Sequence, residues 1–271
     1  MPVEGVIRSG RNRRVVQARK LRLRKYRQSS QSFLVEGLQL IHMGLASDCP
    51  PVEVFYCEEL FAGSGAPSLL ERCRQAGSRL TPVTDSVMRA LSERDTPQGL
   101  LAVFPCVDVE LDTVPADGDA LFLVLDRLQN PGNLGTLVRT ADAVGAAAVI
   151  LLEPGADLYD AAAVRSSMGS LFNVPVVRGP ADRVLFAWLQ HRKCITVGAD
   201  PYRGEWWNAG GWPGCLALVL GNEGSGLSAE VRPHIQRWVR LPMVGRVESL
   251  NVAVTGGVLM YAWMGRHGPP V

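Results

Sequence analysis

Short apolar runs alternate with longer amphipathic stretches over the first 105 residues of the chain, and each pattern predicts a type of element. Strands are predicted at residues 33–35, 52–56, 80–83 and 100–104. Helices are predicted at residues 38–45, 69–75 and 85–91, with Thr84 as the cap of the last one. Strands that alternate with helices are typical of an α/β unit.

A change of composition divides the chain. Residues 105–119 are rich in Pro, Asp, Val and Gly and have no helical period, so we interpret them as a linker. This predicts an N-terminal domain at 1–105, a linker at 106–118 and a second domain at 119–271.

The second domain begins with the apolar run 120–125, which is typical of a strand buried in a parallel sheet. Further strands are predicted at residues 148–152, 195–198, 216–220 and 239–241. Helices are predicted at residues 133–144, 160–168, 181–191 and 249–264. The expected fold is a doubly wound α/β domain with a mainly parallel sheet, preceded by a smaller α/β domain.

Charge is distributed unevenly, although the formal net charge of the 271 residues is only +2. Residues 1–28, the basic arm, carry ten Arg or Lys and one acid, which leaves 18 basic and 25 acidic residues for the rest. Apolar residues among these charges permit a basic helix from residue 11 to residue 27. Such an arm predicts contact with a polyanion, and a merely solvated arm is the alternative.

Cysteine and hydropathy patterns exclude some classes of protein. The six cysteines form no C-x-x-C pair and there are only four histidines, so no metal site is expected. The longest apolar stretch, at 250–264, is too short to cross a bilayer and predicts a buried helix. With no signal peptide at the N-terminus, we expect a cytoplasmic protein with reduced cysteines and no membrane partner.

Three turns that follow predicted strands carry the candidate chemistry, because ligands of open parallel sheets bind beyond the carboxyl ends of the strands. In the first turn, residues 126–142, Asn133 is a candidate helix cap and Arg139 lies six residues later. Six residues correspond to about 600° of helical rotation, yet both side chains could face a site at the start of the helix. An ordinary surface arginine is the alternative interpretation.

The second turn, GNEGSGLS at 221–228, resembles a phosphate-binding loop only superficially. Leu227 stands where such a loop has lysine, and Glu223 places a negative charge where phosphates would lie. Glycines that admit a ligand beside a carboxylate suit a positively charged ligand such as S-adenosylmethionine. A tight structural turn is the alternative.

In the third turn, residues 241–257, polar Ser249 and Asn251 precede an apolar helix. We expect Ser249 to be the helix N-cap. Asn251 is expected to be a buried amide that needs hydrogen-bond partners.

Together these motifs resemble the SpoU/TrmH family of RNA ribose 2′-O-methyltransferases, within the SPOUT superfamily. N-P-G-N-L-G-x-x-x-R-T-A-D-A, G-N-E-G-x-G-L and L-P-M-x-G-x-x-x-S-L-N-V-A-V occur in the family's order and spacing across residues 120–265. The N-terminal part is similar to the family's RNA substrate-binding domain, through Lys25-Tyr26-Arg27 and residues 33–37.

The resemblance implies a trefoil knot in the second domain, a homodimer, and S-adenosylmethionine as the cofactor. It implies Arg139 as the key catalytic residue, supported by Asn133, Glu223, Ser249 and Asn251. The cofactor-binding positions that it implies are Leu220, Gly221, Glu223, Gly224, Leu241, Met243, Val247, Ser249, Leu250 and Asn251.

The substrate expected from the two-domain layout is ribosomal RNA. A methyltransferase for tRNA, or one that protects the ribosome from an antibiotic, would share these motifs. More distant alternatives are an RNA-binding protein without catalysis and a nucleotide-dependent oxidoreductase; the glycine order and the acidic loop disfavour the latter.

Overall fold

The structure is a computed structural model, and it describes residues 5–61, 63–115 and 118–267. Its helices are α1 (Arg13–Lys20), α2 (Arg24–Ser30), α3 (Leu38–Ala46), α4 (Gly65–Gln75), α5 (Asp85–Leu91), α6 (Pro131–Ala143), α7 (Ala161–Ser167), α8 (Asp182–His191) and α9 (Val252–His267). Its strands are β1 (Ser32–Glu36), β2 (Glu53–Tyr56), β3 (Arg79–Pro82), β4 (Leu100–Pro105), β5 (Ala120–Asp126), β6 (Ala148–Leu152), β7 (Val176–Arg178), β8 (Ile195–Ala199), β9 (Glu205–Trp206), β10 (Cys215–Leu220) and β11 (Arg237–Arg240).

The first compact unit comprises Met1–Cys106 and Tyr159–Phe172. Its sheet has the order β1-β4-β2-β3, in which β4 is antiparallel to β1 and β2, and β2 is parallel to β3. The chain leaves this unit near the linker predicted at 106–118. The segment that contains α7, which we assigned to the second domain, groups with the first unit instead.

The basic arm differs from the single basic helix that the sequence permits between residues 11 and 27. It forms α1 and α2 with a break between them, and Val15 and Ala18 are buried in the core of the first unit. Three of its arginines hold this fold together. Arg14 Nε donates to Glu53 at 2.8 Å, Arg22 Nη2 donates to the Ser92 carbonyl at 2.7 Å, and buried Arg27 donates to the Leu21 carbonyl at 2.9 Å.

The second unit comprises Val107–Leu158 and Asn173–Val271. All pairings in its sheet, of order β7-β6-β5-β10-β8-β11-β9, are parallel. Every residue of β5 and β6 is buried, which explains why these strands are continuous apolar runs. The mainly parallel α/β fold is therefore confirmed, and the trefoil knot stays a prediction.

Helices α6 and α9 pack closely because Gly256 of α9 has no side chain. A Cβ atom there would lie 2.4 Å from Leu137 Cδ2 of α6 and 2.8 Å from Leu220 Cδ1 of β10. Both leucines are almost fully buried, so neither can move aside easily. The missing Cβ lets the start of α9 approach the carboxyl end of β10.

A disulfide joins Cys194, the residue before β8, to Cys215, the first residue of the neighbouring strand β10, although we expected reduced cysteines. No helix in the described ranges is long and apolar enough to cross a membrane. Within the same ranges, no group of three or more His, Cys, Asp or Glu residues is placed to hold a metal ion.

We expect Gly256→Ala to lower the free energy of unfolding by about 1 kcal/mol, because overpacking outweighs the gain in helix propensity. Gly257→Ala is the matched control, since its Cβ would meet only Thr140 Cγ2 at 4.0 Å. The free energy of unfolding of that variant should rise by roughly 0.5–1 kcal/mol. Denaturant titration measures both values, and a Gly256→Ala protein as stable as Gly257→Ala would contradict the packing argument.

Candidate active site at the carboxyl edge of the parallel sheet

The three turns with candidate chemistry lie at one edge of the second unit's sheet. Strands β5 and β10 are neighbours, and β8 separates β10 from β11. Because all these strands are parallel, the turns that follow them emerge on the same side. The turn after β8, which begins at Asp200, therefore also lies at this edge, although our sequence analysis did not single it out.

Glu223, in the second turn, binds the first turn through its carboxylate. The backbone N–H groups of Gln129 and Asn130 donate to it at 3.0 and 3.1 Å, and Asn133 Nδ2 donates at 3.0 Å. Desolvation by itself would raise the pKa of Glu223. The hydrogen bonds from Gln129, Asn133, Asn130 and the residue's own N–H outweigh it, so the pKa is lowered.

Asn133 extends this network to the third turn. Its side-chain oxygen accepts a hydrogen bond of 3.0 Å from Asn251 Nδ2. The Asn251 oxygen in turn accepts from the backbone N–H groups of Ala253 at 2.8 Å and Val254 at 3.3 Å. Glu223, Asn133 and Asn251 thus connect the three turns and the first turn of α9.

Our expectations for the helix caps were wrong. Asn130, not Asn133, caps α6, because its side chain accepts from the N–H groups of Gly132 and Asn133. Asn251, not Ser249, caps α9, and Asn251 is exposed rather than buried. Ser249 is exposed, and its hydroxyl has no hydrogen-bond partner among the residues that the structure describes.

The second turn is organised by Asn222, which our sequence analysis did not single out. Its side-chain oxygen accepts from the backbone N–H groups of Gly224 and Ser225 at 2.9 and 3.1 Å, and its amide donates to the Arg127 carbonyl at 3.0 Å. Gly221 is required for this tight turn, since a Cβ would lie 2.2 Å from the carbonyl carbon of Gly226. An asparagine in a glycine-rich turn is a signal that could have indicated this role.

A second group that sequence reasoning missed lies at the end of β5. Asp126 is fully buried and accepts from the backbone N–H of Ser228 at 2.7 Å. Arg127 donates to Asp126, to the hydroxyl of Ser228 and to Asp182 at the start of α8. Burial would lower the pKa of Arg127, but the charges of Asp126 and Asp182 raise it. These contacts tie the end of the second turn to the end of β5 and to the start of α8.

Arg139 does not join either network. It lies on the exposed side of α6, while Leu137, Val138 and Ala141 of the same helix are buried. Its guanidinium has no ion pair or hydrogen bond within the described ranges. It therefore remains available to a ligand at the surface.

The expected cofactor positions divide into a buried group and an exposed group. Leu220 and Leu241 are buried where β10 and β11 end, and Gly221 and Met243 are half-buried. The exposed positions are Glu223, Gly224, Val247, Ser249, Leu250 and Asn251.

This arrangement fits a ligand that has an apolar heterocycle and polar groups. Val247 is 60% exposed and Leu250 is 39% exposed, which provides apolar surface beside the turn. The backbone N–H groups of residues 243–250 donate to no acceptor in the part of the chain that the structure describes. These groups can therefore bind a ligand, whereas the carboxylate of Glu223 already accepts several hydrogen bonds.

Comparisons with known proteins identify two family models. Residues 120–261 match the SpoU rRNA Methylase family, and residues 12–102 match the MRM3-like substrate binding domain. The first match includes all the site residues described above.

The proteins that align with nearly the whole chain include a curated relative and two solved structures. The 23S rRNA (guanosine(2553)-2′-O)-methyltransferase RlmP of Bacillus subtilis is 33% identical over 94% of this chain and 97% of its own length. The AdoMet-bound rRNA methyltransferase of Sinorhizobium meliloti is 26% identical, with a TM-score of 0.87 over 96% of this chain and 97% of that one. The SpoU methyltransferase AviRb of Streptomyces viridochromogenes, solved in complex with AdoMet, is 30% identical, with a TM-score of 0.86 over 95% of this chain and 98% of that one. The three motifs, their convergence at one sheet edge and these matches show that the chain belongs to the SpoU rRNA methylase family.

Proposed function

We propose that this chain transfers a methyl group from S-adenosylmethionine to a ribose 2′-hydroxyl of 23S ribosomal RNA. The observation that carries the proposal is the hydrogen-bonded chain Glu223–Asn133–Asn251, which brings the family's three motifs to one edge of the sheet. Ribosomal RNA is favoured over tRNA because RlmP, which aligns along nearly the whole chain, is named for 23S rRNA. A substrate in bacterial ribosomes, like that of RlmP, would place the protein in the cytoplasm.

The cofactor would be held at the ends of β10 and β11. Backbone groups of Gly221, Gly224 and residues 243–250 would bind its polar atoms, and Val247 and Leu250 would cover its adenine. When bound, S-adenosylmethionine supplies an electrophilic methyl group on a sulfonium leaving group. Glu223 acts through the first turn, as a positioning residue.

Arg139 is the catalytic residue of this proposal. A guanidinium stays protonated, so it does not act as a base. It binds the phosphate next to the target ribose and stabilises negative charge on the 2′-oxygen as its proton leaves to phosphate or water. Asn133 and Asn251 position the helix that carries Arg139, and the free hydroxyl of Ser249 is available to the ligand.

The first unit, which matches a substrate-binding domain, would contact the RNA together with the active site of the second unit. In the basic arm, the basic residues that remain exposed after the fold has used Arg14, Arg22 and Arg27 are Arg8, Arg11, Arg13, Arg19, Lys20 and Lys25. Such side chains position RNA through its phosphates.

A homodimer, as the resemblance implies, would use α9. Val254, Val258 and Tyr261 form one apolar stripe on this helix, and they are 53%, 37% and 49% exposed. Their spacing places them on one face, and an exposed apolar face of this kind marks an interface.

Wild-type protein incubated with tritiated S-adenosylmethionine and unmodified 23S rRNA should label one alkali-resistant linkage. Arg139→Lys keeps the charge but loses the planar fork, so its single-turnover rate should fall roughly 10–100-fold. Arg183→Lys, an exposed arginine on α8, is the matched control and should keep the wild-type rate.

An unimpaired Arg139→Lys would contradict the role of the guanidinium, and a label in tRNA alone would overturn the choice of substrate. Excess S-adenosylmethionine should raise the melting temperature, while nicotinamide dinucleotide should not.

Glu223→Gln should lower the melting temperature at neutral pH, and the difference from wild type should shrink on acidification. The folded pKa of Glu223 lies below its ordinary value of 4.5, so the stabilisation is complete above about pH 4.5 and is lost as pH falls through the folded pKa. Thermal melts across this range measure the effect.

Glu230→Gln removes the same charge from a residue whose only ion pair in the described ranges is a 3.8 Å contact with Arg127. Its melting temperature should differ little from wild type. If the melting temperature of Glu223→Gln were lower than that of wild type by the same amount at every pH, the ionised carboxylate would not be the group that holds the turns together.

Val258→Asp should convert the dimer to a monomer in light scattering coupled to size exclusion, because a carboxylate cannot be buried unpaired in an apolar interface. Val184→Asp is the control, since Val184 on α8 is 57% exposed and lies outside the stripe. A wild-type protein that elutes as a monomer would refute the dimer.

A further inference from the structure

A groove of about 460 Å³ opens in the first unit beside α1 and α2. This volume lies within the range of sites that bind small molecules or single nucleotides. Its lining residues include Gln17, Lys20, Leu21, Tyr26, Ser29 and Val103. None of the motifs assigned to the active site contributes to it.

The ring of Tyr26 and the ammonium group of Lys20 form one wall of the groove, and the ammonium group of Lys25, which is not a lining residue, lies over the same ring. Lys20 Nζ lies 5.3 Å and Lys25 Nζ 4.9 Å from the centroid of the Tyr26 ring. Neither lysine forms an ion pair with a carboxylate of the described residues. Both ammonium groups lie over the ring, so a base that stacks on Tyr26 displaces an ammonium group, which then remains close to the phosphate of that base. An aromatic ring with cations that carry no ion pair is the combination by which proteins hold unpaired nucleic acid bases and their phosphates.

Glu53, the only acidic residue among the described residues that line the groove, does not reduce this attraction. Its carboxylate accepts hydrogen bonds from Arg14 Nε at 2.8 Å and from the Thr81 hydroxyl at 2.7 Å. The ion pair between Glu53 and Arg14 cancels both charges, so the ammonium group of Lys20 leaves the groove with a net positive charge. The groove therefore favours an anionic ligand.

Polar groups around the ring could recognise a base edge or a ribose. The hydroxyls of Ser29 and Ser30 donate to the Tyr26 carbonyl at 3.2 and 2.7 Å and keep free lone pairs as acceptors. The Gln17 side chain is exposed and has no hydrogen-bond partner among the described residues. The side chains of Leu21 and Val103 provide an apolar surface between these groups.

We propose that this groove binds one unpaired nucleotide of the RNA substrate, with its base against Tyr26 and its phosphates on Lys20 and Lys25. This assignment rests on the proposed function for the statement that RNA is the substrate. A base-paired nucleotide cannot offer a free face to the ring, so the groove selects a loop or bulge. Stacking is tolerant of base identity, so the groove selects single-stranded character rather than sequence.

The test compares two fluorescent RNAs by anisotropy, a hairpin with an open uridine loop and a fully paired duplex that contains the same stem. Tyr26→Ala should bind the hairpin about tenfold more weakly and the duplex as tightly as wild type does. Tyr26→Phe keeps the ring and should stay within about twofold of wild type. Circular dichroism melts check that each variant folds.

The paired variant Lys20→Ala/Lys25→Ala should also lose about tenfold in hairpin affinity, and its affinity should depend less steeply on salt. Arg74→Ala/Arg89→Ala is the matched control, because it removes two exposed charges of the same unit, from α4 and α5, that pair with Glu71 and Asp85. Photocrosslinking from 4-thiouridine in the loop should map to a peptide that contains Tyr26.

The assignment of the groove would be overturned if both groove variants bound the hairpin as tightly as wild type does, or if the crosslink mapped outside α1 and α2. In either case, methylation by the wild-type protein would still support the proposed function. If Tyr26→Ala fails to fold, the lysine variant and the crosslink decide alone. A wild-type protein that neither binds the hairpin nor methylates ribosomal RNA would overturn the proposed function and this assignment with it.

Discussion

The carboxylate of Glu223 is the contact on which the arrangement of the site depends. The first two turns follow neighbouring strands, and Asn222 and Ser228 of the second turn bind Arg127 and Asp126 where the first turn begins. Glu223 joins the second turn to the start of α6 by accepting two backbone N–H groups just before the helix and the amide of Asn133. A negative charge at this point also interacts favourably with the N-terminal end of the helix dipole. The third turn follows β11, two strands away from β10, and the hydrogen bond between Asn251 and Asn133 connects it to the first turn.

Much of the second unit could be predicted from the sequence, because its central strands are buried on both faces and are continuous apolar runs. The strand predicted at 148–152 coincides with β6, whereas β7 and β9 were missed since three and two residues are too few to show a period. The helix starts were misplaced where two capping residues compete. For α6, Pro131 at the first helical position was a usable signal for Asn130 as the cap. For α9, both Ser249 and Asn251 are good caps, and only the contact with Asn133 distinguishes them.

The roles of charged residues were harder to predict than their positions. Residues 1–28 are strongly basic, yet Arg14, Arg22 and Arg27 bind acceptors of the first unit itself. Net charge cannot separate an arginine that holds the fold from one that faces solvent, because both contribute equally to the total. The contacts of Asp126 and Arg127 with Ser228 were missed for a related reason. Their partners lie about a hundred residues apart in sequence, so no local spacing reveals them.

In the proposed function, helix α6 carries both Asn133, which holds the site together, and Arg139, the residue assigned to catalysis. Asn133, in its first turn, is held by Glu223 and Asn251, and Leu137 is buried against α9. Arg139 lies six residues further along, about 9 Å along the helix axis, on the exposed face. Since the helix is anchored at its start and along its buried side, the reach of the guanidinium is limited by its own side-chain rotamers. The flexible guanidinium of Arg139 can bind a phosphate of RNA that approaches from solvent, while the turns that would hold the cofactor keep their positions. That division explains why the exposed arginine needs no partner of its own in the folded chain.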